Sequence, residues 1–104
     1  MSPTATFGEV VARRELDVDG TSSKVIVELA KPVSDGRDFG CSFRLAYREQ
    51  EYVRAIYGVD AFQALMLALK TVSVHLKHDD WLPRDRVYWL EPGNGTGFPN
   101  PDIE

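Results

Sequence analysis

The chain has 104 residues and a formal net charge of -4, from 12 Lys and Arg against 16 Asp and Glu. With 43% hydrophobic and 27% charged residues it has the make-up of one globular domain, not of a disordered chain. The acidic balance excludes a general nucleic-acid binder, which needs a concentrated positive footprint to displace counterions from phosphates.

Crossing a bilayer takes about 20 apolar residues. The most apolar stretch, residues 61–76, is interrupted by Gln63, Lys70 and His75. Residues 1–8 lack the basic head and apolar core of a secretory signal. A single cysteine, Cys41, cannot form an internal disulfide and fits a reducing compartment, so the chain is read as cytoplasmic.

Residues 7–18 favour an extended strand, with Val10, Val11, Leu16 and Val18 among charged residues. Asp19-Gly20 is turn chemistry. A second strand follows over residues 24–33, with Val25, Val27 and Leu29 on one face, and Pro32 ends its regular pairing. After a turn at residues 34–38, Phe39, Cys41, Phe43, Leu45 and Tyr47 alternate with Gly40, Ser42, Arg44, Ala46 and Arg48. That is the clearest period-2 pattern in the chain. A short link leads to a fourth strand over residues 51–57, and short links between strands predict an antiparallel meander.

The period changes at Gly58-Val59-Asp60. Asp60 and Gln63 have the spacing of a capping box, and residues 61–78 contain no Gly or Pro, which predicts a helix. At 100° per residue, Phe62, Leu65, Met66, Leu69, Ser73 and Leu76 form one stripe, expected to lie on the sheet. The other side is unusually apolar. Leu67 and Val74 project there beside Ala64, Ala68 and Thr71, with His75 at the margin. Such a helix expects a second cover. Two are on offer: the aromatic C-terminal segment carrying Trp81, Trp89 and Phe98, or a second copy of the chain.

The expected architecture is therefore α+β: a four-stranded antiparallel meander, one long helix packed on one sheet face, and an aromatic C-terminal strap. A single domain is expected over residues 7–99, with flexible ends at 1–6 and 100–104.

Few residues carry a chemical signal. His75 and His78, with Asp79 and Asp80, supply too few nitrogen or sulfur ligands for zinc, and no metal is expected. Asp17 and Asp19 resemble the opening of a calcium loop, but Lys24, Val25, Ile26 and Val27 are strand-like where that loop needs ligands. Gly93, Gly95 and Gly97 have no helix after them to complete a phosphate cradle. Cys41 alternates with core phenylalanines and reads as packing, not as a nucleophile. No catalytic residue and no cofactor is therefore expected. The outer sheet face, with Lys24, Glu28, Arg44 and Arg54 around Ile26, Tyr52 and Ile56, is a further candidate docking surface.

The strand containing Cys41, Phe43 and Arg44, the run from Val53 through Gly58, Asp60 and Gln63 to Leu69, and the later Trp89-Leu90 and Gly97-Phe98-Pro99 resemble a family of small bacterial domains of unknown function. The resemblance covers residues 39–99 and implies a sheet followed by a helix and a bacterial origin. It brings no catalytic residues.

The functional expectation is a non-enzymatic protein-interaction domain, most simply a homodimer, with an interface on Ala64, Leu67, Ala68, Thr71, Val74 and His75. The alternative is a small-molecule-binding protein or enzyme, with a pocket between helix and strap into which Tyr57, His75 and Trp81 point. No nucleic acid or membrane partner is expected.

Overall fold

In a computed structural model of the chain, residues 7–99 are described. The alternating segments form β1 (Val10–Val18), β2 (Lys24–Ala30), β4 (Phe39–Tyr47) and β5 (Gln50–Gly58), and the chain then enters α1 (Ala61–His78). Two short strands are added: β3 (Val33–Ser34) and β6 (Val87–Tyr88). The sheet thus has six strands rather than four. The added ones are two residues long, too short to leave a periodic trace in sequence.

All pairings are antiparallel, and across the sheet the order is β5-β4-β2-β1-β6. β5 runs along the whole of β4 on one side, from Phe39↔Gly58 to Tyr47↔Gln50. The other side of β4 is shared by β2 and β3. Pro32 separates these two, because it has no N–H to give to the ladder.

Register fixes the faces. Leu16, Val25 and Tyr47 lie opposite one another, as do Arg14, Val27 and Leu45. This face, with Cys41 and Phe43, is the buried one and lies under α1. Tyr52, Arg54 and Ile56 share it, by pairing with Leu45, Phe43 and Cys41. The expected outer patch is corrected accordingly: of its apolar centre, only Ile26 is on the outer face. That face instead carries a charged row, Arg13–Glu28–Arg44, in direct register across three strands. Glu28 pairs with Arg13 at 3.3 Å and accepts from Arg44 Nε at 2.8 Å. The ring of Phe7 covers Arg44, with the guanidinium carbon 4.5 Å from its centroid.

α1 starts and stops where the sequence predicts. Asp60 Oδ1 accepts from the Gln63 amide at 2.8 Å, and the Gln63 side chain accepts from the Val59 amide at 2.7 Å. The facing of the helix differs from expectation. The buried line is Ala64, Ala68, Val72 and Leu76, whereas Phe62 and Met66 are 76% and 58% exposed. The cause is the approach of helix to sheet. A Cβ built on Gly58 would stand 2.5 Å from the Ala64 amide nitrogen, so the first turn of α1 rests directly on the end of β5. Near this close approach the buried positions are alanines, Ala64 and Ala68. The larger Val72 and Leu76 follow farther along the helix, and Phe62 and Met66 are displaced to the flank.

Cys41 is fully buried, and burial pushes its thiol pKa up. The folded protein should therefore not react with a thiol reagent such as DTNB at mildly alkaline pH, and should release one equivalent once unfolded in guanidinium. Rapid labelling of the folded protein would contradict this placement. The sign of the pH effect follows: above the ordinary thiol range the unfolded chain ionises first, so stability is lost as pH rises.

Candidate functional site

Three places hold the residues singled out in the sequence. The first is the C-terminal end of α1. His75 Nδ1 lies 2.7 Å from Asp79 Oδ2, and Trp81 Nε1 donates to the same oxygen at 3.2 Å. The His75 ring packs 4.9 Å from Tyr52 and 5.7 Å from Phe43, centroid to centroid. Asp79 sits where the helix dipole disfavours an anion. His75 and Trp81 compensate by holding its carboxylate, and the Asp79 amide donates to the His75 carbonyl as a cap.

His75 and Trp81 are thus brought together. Tyr57 is not: it lies on the outer face over Gly40, 60% exposed. Tyr52 occupies the place against His75 instead. Among the described residues no hydroxyl or thiol is bonded to His75, so its pairing with Asp79 orients no nucleophile. No three of His, Cys, Asp and Glu come together as metal ligands among those residues.

The second place is the helix flank over β5. Leu67 and Val74 are 39% and 40% exposed there, with Thr71 between them donating its hydroxyl to the Leu67 carbonyl at 2.7 Å. Ala64 and Ala68 do not belong to this strip, because both are fully buried against the sheet. His75 is turned toward Tyr52. The C-terminal segment does not lie across the strip as a strap. It pairs with β1 at the opposite edge of the sheet, through Asp17↔Tyr88 and Val18↔Val87.

The third place was not legible in the sequence. A groove of about 430 Å³ opens between α1 and β1, closed at one end by Gly97, Phe98 and Pro99. Leu65, Leu69, Val72, Val27 and Leu29 line it, and Arg14 stands at its wall. Its walls come from β1, β2, α1 and residues 97–99. Tyr57, His75 and Trp81 are not among its walls.

An antiparallel sheet with one helix packed across half of it defines a small α+β domain. Residues 12–100 match the family described as Domain of unknown function (DUF6968), and the chain belongs to that family. No curated protein and no solved structure matches it. Among the described residues no helix is long and apolar enough to cross a membrane.

Proposed function

We propose that this is a non-enzymatic interaction domain that associates with a second copy of itself along β5. One observation carries the reading: a nine-residue edge strand, with no partner on its outer side among the described residues, runs beside the half-exposed strip of Leu67, Thr71 and Val74. Long unpaired edges invite pairing, and this one contains neither proline nor a bulge to prevent it.

The two features fit one two-fold arrangement. A two-residue turn closes β4 on β5 at Tyr47↔Gln50, so alternation along the ladder turns the backbone N–H and C=O of Glu51, Val53 and Ala55 outward. A two-fold axis at Val53 pairs these groups with their counterparts. It also sets Tyr52 of one copy opposite Arg54 of the other on the helix side. Strands are spaced by about 4.8 Å, and α1 lies over β4 and β5. Two copies joined this way carry their helices about 10 Å apart, the separation at which helices pack. Leu67 and Val74 would then face their symmetry mates.

Size-exclusion chromatography with light scattering tests this. The protein should elute with the mass of two chains, and Leu67→Asp and Val53→Pro should each yield one chain with the helical and sheet circular dichroism retained. A single-chain mass for the unaltered protein at its highest soluble concentration would overturn the reading. So would a dimer indifferent to both substitutions.

A further inference from the structure

The groove between α1 and β1 lies on the opposite flank of the helix from β5, and its chemistry is different. Its walls are aliphatic: Val27 and Leu29 from β2, and Leu65, Leu69 and Val72 from α1. Phe62 and Met66 extend the same flank into solvent by helical spacing. Its volume, about 430 Å³, lies within the roughly 300–1,000 Å³ of small-molecule sites.

Arg14 gives the groove a cation of fixed orientation. Its guanidinium carbon lies 3.7 Å from the ring centroid of Trp89 and 4.8 Å from that of Phe98. Nη1 donates to the Thr96 carbonyl at 3.3 Å. A Cβ on Gly97 would come within 2.8 Å of Nη1, so the glycine is what lets the backbone close over the arginine. With aromatic rings against the guanidinium, the N–H groups open to a ligand are those at its in-plane edge. That flat fork matches a carboxylate. Among the described residues no carboxylate is paired with Arg14.

We propose that the groove binds a small aliphatic carboxylate, of the chemical class of a medium-chain fatty acid. Its hydrocarbon chain lies along Leu65 and Leu69, and its head group meets Arg14. Burial of the chain supplies affinity, and the charge-assisted hydrogen bonds select the acid over a neutral analogue. The site is independent of the β5 edge, so a protein that proves monomeric still tests it.

Decanoate and decanol, titrated below the micelle concentration of the acid and followed by calorimetry and by tryptophan fluorescence, provide the test. Decanoate should saturate at one per chain and bind at least tenfold more tightly than decanol, the usual margin of a charge-assisted over a neutral hydrogen bond. Arg14→Gln should abolish that preference while leaving weak binding of both. Leu69→Trp, which fills the groove and leaves Arg14 in place, should abolish binding of both. Equal affinity for acid and alcohol in the unaltered protein would overturn the proposal, and that ratio decides it even if Arg14→Gln loosens the C-terminal segment. Absence of saturation, or unchanged decanoate binding by Leu69→Trp, would overturn it as well.

Discussion

Gly58→Ala should lower the stability of the domain by about 3 kcal/mol, the upper part of the range for overpacking a fitted site. The added methyl would meet backbone on both counts, 2.5 Å from the Ala64 nitrogen and 2.9 Å from the Gln63 carbonyl carbon. Neither atom can move without shifting the first turn of α1 off β5. At roughly 4–8 °C per kcal/mol for a domain of this size, the melting temperature should fall by about 12–24 °C. Gly40→Ala is the informative contrast. There the new methyl would meet Cε1 of Tyr57 at 2.9 Å, but that ring is exposed and rotates away. Thermal denaturation of the two variants should therefore differ widely. Equal losses would mean that the helix does not rest on Gly58 as described.

Phe43→Ala should cost about 3–5 kcal/mol, the range for truncating a buried phenylalanine. Phe43 is fully buried on the interior strand β4, with Tyr52 and His75 packed on its ring. A domain with a total stability of only about 5–15 kcal/mol would be left marginal. Phe62→Ala should change stability by less than about 0.5 kcal/mol, because Phe62 is 76% exposed. Urea unfolding of the pair reports directly on the facing of the helix. If the stripe of large residues lay on the sheet, Phe62→Ala would cost nearly as much as Phe43→Ala.

Much of the fold is legible in the residues. Alternation from Phe39 to Tyr47, the turn at Asp19-Gly20 and the break at Pro32 define the sheet, because each acts through local geometry. Asp60 and Gln63 mark the start of the helix for the same reason. The facing of α1 is not local. It follows from how close the Gly58 turn brings helix to sheet, and a period-3.6 pattern weighted by side-chain size selects Phe62 and Met66 instead of Ala64 and Ala68. The side assignment of β5 is equally opaque. Tyr52, Val53, Ile56 and Tyr57 put large apolar residues on both faces, and only pairing with β4 separates them.

The candidate sites divide in the same way. Leu67, Thr71 and Val74 are legible as an exposed strip, being one helix face. The groove is not, because its walls come from β1, β2, α1 and residues 97–99, which are distant in sequence. Arg14 reads as an ordinary polar position of a strand until Trp89 and Phe98 are folded onto it.

The row Arg13–Glu28–Arg44 has a consequence for the fidelity of assembly. Sliding β2 by one position against its neighbours would turn Val25, Val27 and Leu29 out into water, and would at the same time strand two guanidinium groups without their shared acceptor. Oily and ionic penalties thus coincide on the same misalignment, so the charged row acts as a second key against that one-residue slip.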